Sequence, residues 1–326
     1  MTEAVLSTPT TAAQGPSCAR LKHRNGGTPV GLLVALLCLL WGSTWIVIQG
    51  GLRDVPPFLS AGVRFAIAGA LMSLVAWRYA QREGGSAPPL RLVLALGLLN
   101  FGVSYGVVYR TETLLPSGLT SLLWAVFPIF TAVLSVWMLP GERLGARQWL
   151  GLVIGFAGTG VLLGLDVSRL GPQAVQYAFV LLVSPLVSAY GNLLVKRHGA
   201  GVSSLLLNRN AMFVGSAGLL ATSLALEDWG SARWTPAAVG ATLYLAGFGT
   251  VVTFGVYYWL LRRVSAHKLA LISYVTPAIA LALGALVGRE TLRATMLLGA
   301  GLILGGVVLV VRKSSREVRV SSQEPS

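Results

Sequence analysis

Apolar residues in this chain neither alternate with polar ones nor keep to a single helical stripe; they run on continuously for about 20 residues at a time. Ten such runs can be marked, at residues 30–49, 57–79, 90–109, 117–139, 146–164, 173–195, 203–226, 236–260, 267–288 and 294–311. At 1.5 Å of rise per residue, ~20 apolar residues cross a hydrocarbon layer of ~30 Å. A membrane strand would instead need about ten residues of alternation. The pattern predicts an all-α integral membrane protein of ten transmembrane helices. Turn and breaker residues separate several runs: Asp54-Val-Pro-Pro, Gly84-Gly-Ser-Ala-Pro-Pro, Pro140-Gly-Glu, Gly171-Pro and Trp234-Thr-Pro.

The pattern is also written twice. Tyr109 is followed 19 positions later by Pro128, and Tyr258 is followed 19 positions later by Pro277. Glu142 and Glu290 come 14 and 13 residues after those prolines, and Gly158 and Gly306 lie 16 residues beyond each Glu. Landmarks repeated in order at an offset of about 148 residues exceed any solenoid period and mark a duplicated half. Five spans per half is an odd number, so the second half enters the membrane from the opposite side. The expected architecture is a 5+5 inverted repeat, with a ligand site near the midplane between the halves.

Composition agrees: 54 % of the 326 residues are hydrophobic and 11 % charged, with a mean hydropathy of +0.72. A net charge of +14 raises nucleic-acid binding, until the charges are sorted by side. With the N-terminus inside, one face holds 17 basic residues against five acids, including Arg78, Arg82, Arg91, Arg262 and Arg263. The other face holds six of each, with Arg53, Arg110 and Arg233 against Asp54, Glu112 and Glu227 among them. That asymmetry is the positive-inside signature, so both termini are expected in the cytoplasm and nucleic acid is not an expected partner. The expected domains are a disordered cytoplasmic tail over 1–28, a first five-helix repeat over 29–165, a second over 172–312 and a cytoplasmic tail over 313–326. The leader lacks the early basic residues and cleavage site of a signal peptide. Cys18 lies in the polar leader and Cys38 in an apolar run, so no disulfide is expected between them.

Several of these residues resemble the ten-helix drug/metabolite transporter superfamily in its EamA branch. They are Leu40-Trp-Gly-Ser-Thr, Val63-Arg64-Phe65, Pro116-Ser-Gly-Leu-Thr-Ser-Leu-Leu with Pro128, and Gly141-Glu142. Their counterparts are Ser188-Ala-Tyr-Gly-Asn, Val264-Ser-Ala, Pro277 and Glu290. The likeness covers about residues 30–311. It implies a 5+5 inverted repeat in the bacterial inner membrane that exports small organic metabolites, most often amino acids. One YddG-like branch exports aromatic amino acids and cationic drugs such as methyl viologen. Glu112 departs from the family pattern, where an uncharged residue is expected.

Candidate functional residues are the polar and aromatic positions within apolar runs. Ser184, Ser188 and Asn192 repeat at i, i+4, i+8 and share one helical face, as do Asn100 and Ser104. Interhelical hydrogen bonding is one reading of these stripes. The other is a wet substrate cavity shared with Trp41, Trp45, Tyr105, Trp124 and Tyr257, suited to ring-bearing or cationic substrates. Trp137, Trp149 and Trp229 fall near helix ends and read as interfacial belts. Arg64 and Arg209 are intramembrane charges related by the repeat, read first as structural hydrogen-bonders and second as carboxylate anchors. Pro128 and Pro277 are candidate hinges, alongside Pro116 and Pro185. Glycines at 151, 155, 158 and 160 and at 299, 301, 305 and 306 predict close helix packing within one chain, with dimerisation second. Glu112, next to Arg110 near an outer loop, reads first as a surface residue and second as a proton-coupling site.

Catalytic signatures are missing. His23, His198 and His267 have no metal-ligand spacing, and neither a nucleophile elbow nor an ATP-binding phosphate loop occurs. No cofactor, metal or enzymatic activity is expected. The expectation is a secondary carrier working by alternating access on a small-molecule substrate in a lipid bilayer, as a monomer or, second, a homodimer. A lipid-modifying membrane enzyme and a non-transporting sensor or scaffold are the rival classes.

Overall fold

A computed structural model describes residues 30–115, 117–139, 144–163, 172–279 and 294–311. The termini with Arg20, Lys22 and Arg24, the loop carrying Glu142, Pro116, and the stretch carrying Glu290 lie outside the described residues. So does the second half of the expected ninth span. The first three helices are α1 (Val30–Gly51), α2 (Pro57–Glu83) and α3 (Leu90–Glu112). Next, α4 comes as two pieces (Ser117–Trp124 and Phe127–Met138), before α5 (Ala146–Leu163). Beyond these come α6 (Pro172–His198), α7 (Ser204–Leu226) and α8 (Pro236–Leu261). The last two are α9 (Ala266–Ala270 continuing over 272–279) and α10 (Ala294–Val311). Each described helix falls on a run marked from sequence.

Two pairs of helices establish the inversion. Glu83, closing α2, accepts the Ser204 and Leu205 N–H groups that open α7, at 3.0 and 3.2 Å. Glu227, just past α7, accepts the Phe58 and Leu59 N–H groups that open α2, at 2.8 and 2.9 Å. Each helix end leaves unpaired N–H groups and a positive partial charge, which a carboxylate satisfies. End-to-start capping in both directions requires α2 and α7, the second helix of each half, to run antiparallel. α5 and α10 do the same, since Gly151 faces Gly306 and Leu309 whereas Gly158 faces Gly299 and Leu302. The fifth helices are therefore also opposed, and the fold is a 5+5 inverted repeat of transmembrane helices.

Those glycines answer the packing question. A Cβ on Gly151 would lie 2.7 Å from the Gly306 carbonyl, and one on Gly306 would lie 2.6 Å from the Gly151 carbonyl. Backbone meets backbone across α5 and α10 inside one chain. Gly160, Gly301 and Gly305 have nothing within 4 Å and take no part.

The halves share finer detail too. α3 opens into a wide π turn over Leu96–Ser104, and α8 does so over Gly247–Val252. Both π segments end at equivalent positions, 104 and 252, matching the repeat offset of 148. Each π turn breaks the i to i−4 ladder and frees backbone groups for other partners. Pro128 sits directly after the break at 125–126 in α4, and Pro277 lies six residues beyond the break at Leu271 in α9. Pro185 is inside an unbroken α6. At one end of the bundle, the α2–α3 and α6–α7 loops meet through Ser86 and Val202. Gly85 allows this close approach with φ 97°, its missing Cβ leaving room for the Ser203 N–H group. Leucines at 32, 39, 74, 297 and 304 face outward, as a lipid-facing surface requires.

Candidate functional site

The polar stripes meet each other. Ser104 on α3 and Ser184 on α6 share a hydrogen bond of 2.8 Å, and the Trp124 Nε1 group of α4 donates to Ser184 at 2.9 Å. One turn-pair further along, Asn100 Nδ2 donates to Asn192 Oδ1 at 2.7 Å. Tyr258 on α8 also donates to Asn192 Oδ1 at 2.7 Å, and Asn192 Nδ2 donates to Tyr257 at 3.2 Å. Period-four polar positions on two helices form an interhelical ladder, because each group in lipid needs a partner.

The same stripes wall a chamber. It is lined by Trp41, Thr44 and Trp45 of α1, Ser104 and Tyr105 of α3, and Trp124 and Phe127 at the α4 break. Ser188 and Asn192 of α6, Phe254 and Tyr257 of α8, and Ser273 and Thr276 of α9 complete the wall. Both halves contribute. Trp41 packs against Phe254 at 5.6 Å and Tyr257 at 5.3 Å between centroids, and Trp45 against Trp124 at 6.4 Å. Edge-to-face and tilted rings at these distances make a stiff aromatic wall. Among the described residues the lining carries no carboxylate and no cationic side chain. The Trp41 Nε1 group is buried and donates to nothing among the described residues. Asn100 and Ser184 lie behind the wall in the ladder, while the other eight residues expected at a cavity line it.

Arg64 sits behind Tyr105. It is 1 % exposed, and its guanidinium lies 5.0 Å from the Tyr105 ring centre. Nε donates to Thr250 at 2.9 Å, Nη1 to Tyr109 at 3.0 Å and Nη2 to the Gly249 carbonyl at 3.1 Å. Gly249 and Thr250 belong to the π turn of α8, so Arg64 ties the first half to the second. Arg209 differs: it is only part-buried and its Nε bonds the neighbouring Asn210 side chain at 2.9 Å. The expected equivalence of the two arginines fails because α7 places Asn208, not Arg209, in its buried face.

Glu112 also departs from expectation. Read first as a surface group, it is 4 % exposed at the last turn of α3, and neither carboxylate oxygen has a hydrogen-bond partner among the described residues. Arg110 turns away to Tyr177, 5.6 Å from its ring, leaving Glu112 on the inner face. Sequence reasoning also passed over Tyr109 and Tyr258 as site residues. Both are 0 % exposed anchors of polar networks, and both had marked the start of a repeat copy.

Two opposed five-helix units around an aromatic chamber define a membrane carrier of the inverted-repeat class. The chain belongs to the EamA-like transporter family, which matches residues 29–164 and again 176–312. It is 32 % identical over 286 residues to the "Uncharacterized inner membrane transporter YedA" of Escherichia coli (strain K12), covering 86 % of this chain and 89 % of that one. A "Probable amino-acid metabolite efflux pump" of Salmonella typhimurium is 29 % identical over 291 residues, 86 % of this chain and 94 % of its own. The "Uncharacterized transporter YoaV" of Bacillus subtilis is 28 % identical over 272 residues, 83 % and 92 % of the two chains. A solved crystal structure superposes with a TM-score of 0.73 at 20 % identity over 91 % of this chain and 99 % of that one, a likeness of fold. The protein is thus a multi-pass membrane transporter of the drug/metabolite superfamily.

Proposed function

We propose that this transporter exports small organic metabolites across the bacterial inner membrane, with aromatic or other hydrophobic amino acids and related ring-bearing drugs as its substrates. The observation that carries this reading is the chamber wall, which among the described residues holds indole and phenol rings from both halves, small hydroxyls, one idle indole N–H and no fixed charge. Rings stack a ring-bearing side chain, and a cation gains from the ring faces. The idle Trp41 N–H suits a substrate carboxylate or carbonyl. The amino-acid metabolite efflux named for the Salmonella relative supports the same class. Rocking of the halves about Pro128 and Pro277 alternates access, and the glycines buried within one chain support a monomer. Both termini lie in the cytoplasm.

The test is counterflow in proteoliposomes. Vesicles preloaded with unlabelled phenylalanine take up labelled phenylalanine faster than empty ones, and tryptophan and methyl viologen compete. Absence of counterflow with amino acids and methyl viologen alike overturns the reading.

A further inference from the structure

We propose that Glu112 is the proton site of this transporter, and that its ionisation draws Arg64 away from the second half, releasing a strap between the two repeats. Three observations lead there. First, Glu112 is nine-tenths buried or more, and both its oxygens lack a donor among the described residues. An ionised carboxylate held that way pays a desolvation cost that no hydrogen bond from the described residues offsets, so the arrangement is that of the neutral acid.

Second, Arg64 reaches the inner face of α3 that carries Glu112. Tyr109, three residues earlier on the same helical face, already receives Arg64 Nη1 at 3.0 Å. No competing charge intervenes among the described residues. Arg110 is engaged with Tyr177 of α6 and Thr113. α4 carries no titratable side chain in Ser117–Trp124 or Phe127–Met138, and the first half of α6 carries only Tyr177. On α2 the one charge in this region is Arg64, and α8 presents only the phenols of Tyr244, Tyr257 and Tyr258. Glu227, past α7, is held on the α2 N-terminus.

Third, each guanidinium nitrogen already donates one bond, and two of these bonds reach Gly249 and Thr250 in the π turn of α8. An ionised Glu112 offers a charge-assisted acceptor stronger than a neutral carbonyl and hydroxyl, so it takes the guanidinium from them. Tyr105, beneath the guanidinium, is a chamber wall. Proton state, inter-half strap and chamber are thereby linked, the proton passing to and from water. Conformational coupling of this kind requires a differential interaction in two states, which the exchange of partners for Arg64 supplies.

Part of this rests on the carrier reading, so the test has two arms. In the first, purified protein in bilayers is titrated by infrared difference spectroscopy. Wild type shows a protonated-carboxyl band that is lost on alkalinisation, absent in Glu112→Gln and restored in Glu112→Asp; an identical band in Glu112→Gln overturns the proposal with no transport needed. In the second, vesicles one pH unit more acid inside accumulate labelled phenylalanine up to about tenfold for one-for-one exchange. Glu112→Gln, which cannot ionise and so keeps the strap closed, loses counterflow and accumulation together, whereas Glu112→Asp keeps both. Gradient-driven accumulation by Glu112→Gln overturns the proposal; lack of counterflow by wild type overturns only the substrate reading, and the infrared arm still decides.

Discussion

Two helix crossings lie on the pseudo-two-fold axis, α2 against α7 and α5 against α10, and they are held by opposite means. The α2/α7 crossing is latched by charge at its ends, through Glu83 and Glu227 on each other's first turn. The α5/α10 crossing has no polar side-chain bond between its helices among the described residues; glycine lets the backbones touch. The first kind of contact depends on solvated or interfacial groups, whereas the second depends on shape alone. An inverted repeat can therefore close one seam where water reaches and the other deep in lipid, where a carboxylate would be costly.

Symmetry in the first seam stops at Arg64, and the largest effect is expected there. Replacing Arg64 by Leu strands the Gly249 carbonyl and the Tyr109 hydroxyl and loosens the tie between halves, at a cost of about 2–4 kcal/mol. Arg209→Leu removes a part-buried group bonded only to its neighbour and costs under about 1 kcal/mol. Thermal melts of the two variants in the same detergent should separate clearly; equal melting points would place the two arginines in equivalent roles after all.

The second seam is broken by size. Gly306→Leu must push the backbone of Gly151 and Gly155 away, so a cost of about 1–3 kcal/mol is expected from overpacking. Its neighbour Gly305 has open space around it, and Gly305→Leu should leave the melt unchanged. Adjacent positions with opposite outcomes would establish that the glycine stripe works inside one chain. If Gly305→Leu were instead the damaging one, or altered the oligomeric state in light scattering, the stripe would serve a dimer.

How much of this was legible in the sequence follows from the same contrast. Lipid forces every backbone group to pair within its own helix, so span positions, and with them the repeat, are written as continuous apolar runs. The α5/α10 seam was legible as glycine spacing, since small residues have few other uses in such helices. The polar latches were not. Glu83 reads as a loop charge, and nothing in its surroundings in sequence points to Ser204, 121 positions away. Nor did sequence distinguish Arg64 from Arg209, because one residue of rotation in α7 decides which side chain faces inward. The chamber lies between: its aromatic and polar positions stood out by type, whereas the π turns that aim Gly249 and Thr250 at Arg64 carry no sequence mark.

The latches predict a graded pair. Glu227→Ala removes a cap from α2 and costs about 1 kcal/mol, the usual worth of a helix cap. Glu83→Ala removes the equivalent cap from α7 and in addition the 2.8 Å ion pair with Arg262, whose partners are 23 % and 14 % exposed. That exposure limits the pair to under about 1 kcal/mol, so about 2 kcal/mol is expected in all. The sites lie at opposite ends of a helix of 27 residues, about 40 Å apart, so the double variant should be additive within ~0.5 kcal/mol. Raised salt should narrow the gap between the two single variants, because only one of them loses an ion pair. A gap that salt does not touch would mean that the Arg262 contact contributes nothing.

The smallest effect on stability falls in the chamber, where neither latch nor glycine is involved. Trp41→Phe keeps an aromatic ring against Phe254 and Tyr257 and removes an indole N–H that bonds nothing among the described residues. Deleting an unpaired buried donor relieves a desolvation penalty while losing some packing, so the melt should shift by under about 1 kcal/mol. Transport should respond quite differently. If that N–H meets the substrate carboxylate, losing a hydrogen bond to a charged group weakens binding by about 1.5–3 kcal/mol, or roughly 10- to 150-fold in apparent affinity for phenylalanine counterflow. A cation without a carboxylate, such as methyl viologen, should compete as well against the variant as against wild type. Equal losses for both ligands would show that Trp41 acts as a wall and not as a donor, which would move carboxylate recognition to the hydroxyls of Ser188, Ser273 and Thr276 across the chamber.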